Sequence, residues 1–159
     1  MASTSLQSSY AGSGPSSFAV TFSEPVADTG SGGADSVTNP ANYLLVEAGG
    51  NGTFDTQSCL GGVVTDDTQV PISSVAYDGG SMTATVDLGA SLPLGTYRLF
   101  VCGTTSITDI AGNKLNGGSD STYDFAVLAL TAIPTLSFTG LALLALLLAG
   151  AGLALLRRL

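Results

Sequence analysis

Nineteen consecutive residues, Phe138 to Leu156, carry no charge, and from Leu141 onward every one of them is Leu, Ala or Gly. At 1.5 Å per residue a helix of that length spans roughly 28 Å, close to the ~30 Å hydrocarbon core of a bilayer. A lone segment in lipid must satisfy its own backbone groups, so a single transmembrane α-helix is predicted over 138–156. Pro134 falls just outside it, where its missing N–H does no harm. Arg157 and Arg158 follow at once, and the positive-inside rule makes them a cytoplasmic stop. Everything before the span is then expected on the far side of the membrane.

Charge is divided in the same sense. All twelve acidic residues precede residue 125, and only Arg98 and Lys114 accompany them there. A body this acidic has no basic patch for a phosphate backbone, so nucleic acid is not expected as a partner. Its Gly, Ser, Thr and Asp content suits short strands joined by turns. The start, Met1 to Tyr10, has neither a basic n-region nor an apolar h-region. With a tail of this kind, the chain is expected to be the last piece of a longer protein or a truncated one.

The body reads as β-structure throughout. Phe18, Val20 and Phe22 alternate with Ala19 and Thr21 over Ser17–Phe22, and Pro25 ends that strand. Asn39-Pro40 has the form of a helix N-cap followed by Pro, while Tyr43 to Glu47 is β-like; one helical turn leading into a strand fits both. Ala48 to Gly62 has no period and is read as a long loop. Ile72–Tyr77 and Met82–Leu88 flank Asp78-Gly79-Gly80-Ser81, a hairpin whose glycines can supply positive φ. Over Thr96–Cys102 both faces are apolar, which predicts a central strand, and Tyr123–Leu128 closes the domain. The predicted fold is an all-β, antiparallel, Ig-like sandwich over 17–130, behind a linker or truncated leading segment 1–16 and before the tail 131–159.

Two resemblances sharpen this. The tail runs Ile133-Pro134-Thr135-Leu136-Ser137, then Gly140, a hydrophobic span and the Arg157-Arg158 pair. In that order it resembles the IPTL-CTERM sorting domain of Gram-negative bacteria, one of the PEP-CTERM-like signals handled by exosortase-type membrane enzymes. It departs at Thr139, where members typically carry Trp, and at Phe138, which replaces a usually polar or acidic residue. The resemblance implies a transient inner-membrane anchor, with membrane lipid and the processing enzyme as partners, followed by a place at the cell surface or outside. A plain single-pass anchor is the alternative. The body, with Phe22-Ser23-Glu24-Pro25-Val26, Asn39-Pro40-Ala41-Asn42-Tyr43, Leu94-Gly95-Thr96-Tyr97 and Asp109-Ile110-Ala111-Gly112-Asn113-Lys114-Leu115, is similar to bacterial Ig-like domains of S-layer proteins and large adhesins. The leading strand of those domains is missing or shortened here, which would leave one sheet edge unpaired.

Cys59 and Cys102 are the only cysteines and the chain has no histidine. In an oxidising compartment the two read as one disulfide, worth about 3–4 kcal/mol for a loop of that length; the alternative is two buried thiols. Without His there is no Ser–His–Asp triad, and Lys114, in an Asn/Gly loop, reads as a solvated charge. Asp66-Asp67 fits a turn between strands better than half of a carboxylate pair. Calcium needs loop oxygens, and Asp28 and Asp35 in one loop with Asp109, Asn113, Asp120 and Asp124 around another are the candidate ligands. They lack EF-hand spacing, and Asp109 and Asn113 equally fit a turn shaped by bonds to the backbone. No cofactor is expected. The function that follows is a non-catalytic structural or adhesive surface module. The alternatives are a calcium- or glycan-binding module, or the passive C-terminal end of a secreted hydrolase.

Overall fold

A computed structural model describes residues 1–130. The expected helix over 138–156, the motif Ile133–Ser137 with Gly140, and Arg157 and Arg158 lie outside the described residues. Among the described residues no helix is long and apolar enough to cross a membrane.

Among the described residues nine strands form two sheets: β1 (Ala2–Thr4), β2 (Ser9–Ala11), β3 (Ser17–Phe22), β4 (Tyr43–Glu47), β5 (Thr68–Val70), β6 (Ser74–Asp78), β7 (Thr83–Asp87), β8 (Gly95–Val101) and β9 (Ser121–Leu128). One sheet has the order β1-β3-β7-β6 and the other β2-β9-β8-β4-β5. The pairs β4–β5, β6–β7 and β8–β9 each stay within one sheet and the other connections cross between sheets, giving a four-on-five β-sandwich with the ABED and GFC arrangement of an immunoglobulin-type domain.

The alternation in β3 decides which face is inside. Phe18, Val20 and Phe22 are buried, and the register with β7 sets Phe18 against Val86 and Val20 against Ala84. From the other sheet Tyr43, Leu45, Tyr97, Leu99, Phe125 and Val127 close the core. Tyr97 stacks on Phe125 with ring centroids 5.4 Å apart, and Tyr10 meets the same ring edge-on at 6.0 Å. Full burial of a side chain of this size stabilises by about 1.5–3 kcal/mol before entropy is counted.

Residues 1–16, expected as a linker or truncated leading segment, instead complete both sheets. β1 pairs antiparallel with β3, and β2 pairs with β9 in parallel, so the sandwich is not wholly antiparallel and the expected bare edge is covered. Apolar content in this stretch is low, but Ala2, Leu6 and Tyr10 lean on the core. The crossing needs Gly14: a Cβ there would come within 2.6 Å of Val127 and 2.8 Å of Leu92.

Two local expectations also change. The β6–β7 turn takes its positive φ at Met82 (52°), not at Gly79 or Gly80. The cause is Asp78, whose carboxylate accepts the Gly80 N–H at 2.9 Å and the Ser81 hydroxyl at 2.8 Å, holding the first half of the turn and leaving the reversal to its last residue. The first strand of that hairpin begins at Ser74, not Ile72, and the short strand β5 precedes it. At the other junction Asn39 caps a single 3₁₀ turn, Pro40–Asn42, that runs directly into β4.

Candidate functional site

The strand β8 is central, between β9 and β4, and its second face explains why both sides are apolar. Phe100 and Cys102 point away from the core and join Leu44 and Val46 of β4 in a second buried cluster on the outside of the five-stranded sheet. Such a cluster needs a cover. It is supplied by the irregular segment between β4 and β5, residues 48–67, which lays Phe54 and Cys59 on it. Cys59 and Cys102 are joined as a disulfide, with Cα atoms 5.8 Å apart.

Polar groups hold the rest of this strap. The Arg98 guanidinium lies 4.4 Å from the centroid of Phe54, a cation–π contact, while Nε and Nη2 each donate to Asp124 at 2.7 Å. Asp67, buried, accepts the Thr56 N–H at 2.7 Å and the Gly49 N–H at 3.4 Å. Asp66 accepts from the Asn51 N–H and side-chain amide, both at 3.2 Å. Asp120 accepts from Cys59 N–H (2.8 Å), Thr104 N–H (2.9 Å) and the Thr104 hydroxyl (2.7 Å), so it ties the strap to the loop that follows β8. Beside the disulfide is an open hollow of about 540 Å³, lined among others by Asn42, Leu44, Val63, Gln69 and Ser106.

The carboxylate shifts follow from this bonding. Burial works against the charge of Asp120 and of Asp67. The Thr104 and Cys59 N–H groups, with the Thr104 and Ser58 hydroxyls, outweigh it at Asp120. Thr56 and Gly49 do the same at Asp67, and both carboxyls sit below the ordinary range. Asp109 is also lowered, chiefly by Asn113 and then by Ala111 and Gly112.

The six calcium candidates therefore separate. Asp28 accepts from the hydroxyls of Thr38 and Ser36, and Asp35 from that of Thr29. Asp109 closes its own turn onto Ala111 and Asn113, Asp120 holds the strap, and Asp124 pairs with Arg98. Among the described residues no three His, Cys, Asp or Glu side chains stand together as a cation site would need. Lys114 is exposed and donates from Nζ to the Thr104 carbonyl at 2.9 Å. Asp66-Asp67, read as a turn, is an anchor of the strap. The sequence reading missed the strap because segment 48–67 is aperiodic. Its one legible signal was Phe54, a lone aromatic in a polar loop opposite a strand with two apolar faces.

What precedes the tail is thus a closed domain. Residues 131–158 match the IPTL-CTERM motif. The IPTL-CTERM segment takes in Ile133, Pro134, Thr135, Leu136, Ser137, Gly140, Arg157 and Arg158, and covers under a fifth of the chain. No curated protein matches the sequence. Among solved structures the chain is similar to domains 1–6 of the surface layer protein SbsC, at 24% identity and TM-score 0.45 over 80% of this chain and 14% of that one. The N-terminal part of the bacterial S-layer protein SbsC is similar at 25% identity and TM-score 0.43, over 74% of this chain and 22% of that one. PcoC, a methionine-rich copper resistance protein from Escherichia coli, is similar at 17% identity and TM-score 0.47, over 79% and 94%. The chain spans a small part of the S-layer chains, and the sheet order rather than these likenesses defines the fold.

Proposed function

We propose that the chain is a non-catalytic, Ig-like structural or adhesive module of the bacterial cell surface, delivered by its IPTL-CTERM segment. The observation that carries this reading is the match over 131–158 on a span long enough to cross a bilayer, with Arg157 and Arg158 behind it. The tail holds the protein in the inner membrane with its C-terminus in the cytoplasm until an exosortase-type enzyme acts near Ile133–Gly140. The body is then released or passed to the surface.

The body supports the same reading. Its disulfide suits an oxidising compartment. Its lowered carboxyls are engaged by backbone and hydroxyl donors of the domain itself, an arrangement that stabilises loops rather than poising an acid or base. The test is the intact mass of the mature C-terminus after expression of the full-length parent in its host. A new terminus between Ile133 and Gly140 is expected. An intact Leu159 in the membrane fraction would overturn sorting and leave a permanent single-pass anchor.

A further inference from the structure

The first twelve residues run the length of the sandwich in a single pass. Ala2 pairs with Phe22 at the end of β3, and the Ser23 N–H donates to the Met1 carbonyl at 3.0 Å. The Tyr123 hydroxyl, near the start of β9, donates to the Ala2 carbonyl and marks the same pole in the other sheet. At the second pole Ala11 pairs with Leu128, the last residue of β9, and the Gly12 N–H donates to the Leu128 carbonyl at 2.8 Å. The start of β3 lies there too, since a Cβ on Gly14 would meet Val127 and the Leu88 N–H donates to the Ser16 carbonyl at 2.9 Å. The chain leaves the sandwich at this pole and continues to the tail. The two ends of a domain are often close together; here they stand at opposite ends of the strand axis.

That placement decides how tension acts. A pull between residues 1 and 130 runs along the strands. It drags β1 past its antiparallel neighbour β3, and β2 past its parallel neighbour β9. It also draws β9 along β8, over the register from Gly95–Val127 to Val101–Ser121. Ladder hydrogen bonds lie across the strand direction, so sliding strains all the bonds of a patch together, whereas peeling breaks them one at a time. The β2–β9 patch is where the two loaded segments meet directly. There the Ala126 N–H donates to the Ser8 carbonyl at 3.1 Å, and Tyr10 meets the ring of Phe125 edge-on. Tension that passes β4 then reaches the Cys59–Cys102 bridge, which carries it across a sequence separation of 43 residues and bypasses β5 to β8.

We propose that the domain bears tension along its strand axis, with β1–β3 and β2–β9 as a shear clamp and the disulfide as a stop that limits extension once the clamp gives. This deepens the structural-module reading and rests on it, because a load needs one end held at the surface and the other pulled. Forced unfolding is governed by the unfolding barrier, so the clamp is read in rupture force and not in melting temperature.

The full chain, its tail in a detergent micelle, would be stretched in optical tweezers between handles at Met1 and at a click-reactive residue replacing Leu130. The contrast is the same chain held at Met1 and at a click-reactive residue replacing the exposed Glu24, which lies at the pole of Met1, so that the N-terminal strands peel. At equal loading rate the axial rupture force is expected to exceed the peeling force about twofold or more. Equal forces would overturn the clamp. Tyr10→Pro removes a ring and an N–H from β2 and is expected to bring the axial force down toward the peeling force; an unchanged force would overturn the assignment to the β2–β9 patch. Under reductant the axial event is expected to lengthen by about 140–150 Å of contour, the chain freed between Cys59 and Cys102. An unchanged length would overturn the stop. The fate of the tail is a separate result: an intact Leu159 in the membrane fraction would remove sorting and leave the force ratio as measured.

Discussion

The Asp120 carboxylate accepts the backbone N–H of Cys59 at 2.8 Å, across 61 residues of sequence. With the Cys59–Cys102 bridge it fixes one point of the strap twice, once covalently and once by a charge-assisted hydrogen bond. Leu44, Val46 and Phe100 of the outer cluster lie buried with Phe54 and Cys59 of this doubly attached strap packed against them.

Reduction of the disulfide, or Cys59→Ser, is expected to destabilise the domain by about 3–4 kcal/mol from loop closure alone. Urea unfolding of the full chain with and without reductant, followed by tyrosine fluorescence, measures it. No change in midpoint would mean that the disulfide adds nothing to the stability of the domain.

Asp120 should make the strap acid-sensitive. Its folded pKa lies below the ordinary value of 3.8, so its stabilisation is present at neutral pH and is lost as pH falls through the folded value. Asp120→Asn is expected to cost about 1.5–3 kcal/mol at pH 7 and to flatten the decline in stability below pH 4. Melting temperatures of the two proteins between pH 2 and 7 check this; parallel curves would contradict it.

Tyr97 forms a corner at the start of β8, its hydroxyl donating to the Pro93 carbonyl at 3.1 Å. Tyr97→Phe should lower stability by about 0.5–1.5 kcal/mol with no change of fold. Burial, and then the charge of Glu47, push its pKa up to about 12. The neutral phenol is thus favoured by folding. Its contribution is intact below the ordinary value of 10.0 and is lost as pH rises through about 12, which an ultraviolet titration of wild type against Tyr97→Phe resolves.

Gly103 is irreplaceable for steric reasons. A Cβ there would stand 2.2 Å from the Ser119 carbonyl oxygen and 2.5 Å from that of Leu115, both backbone atoms that cannot rotate away. Gly103→Ala is expected to cost about 1–3 kcal/mol or more, read as a lowered melting temperature. An unchanged melting temperature would show that the loop between β8 and β9 can shift.

Calcium offers a check on the acidic loops. Since Asp28, Asp35, Asp109, Asp120 and Asp124 already accept protein donors, added calcium or chelator should leave the melting temperature of the body unchanged. A rise with calcium would favour the ligand-binding alternative.

Local pattern was enough for much of this molecule. The alternation of Phe18, Val20 and Phe22, the two apolar faces of Thr96–Cys102, the Asn39-Pro40 turn and the Ile133–Leu136 motif are short-range features, and period and residue type express them directly. What lay beyond reach depends on partners far away in the chain. β1 and β2 are three-residue strands with almost no pattern of their own, and they exist because β3 and β9 present free edges to them. The strap has no period because it obeys no ladder: Phe54, Asp67 and Asp120 take their roles from groups many residues distant. The sequence by itself determined an all-β body, a pair of cysteines and a tail with the IPTL-CTERM motif, because hydrophobic periodicity and motif order are local. Only the tertiary structure decided which sheet edges are covered and what the acids bind, because those follow from through-space contacts between segments that the chain keeps far apart.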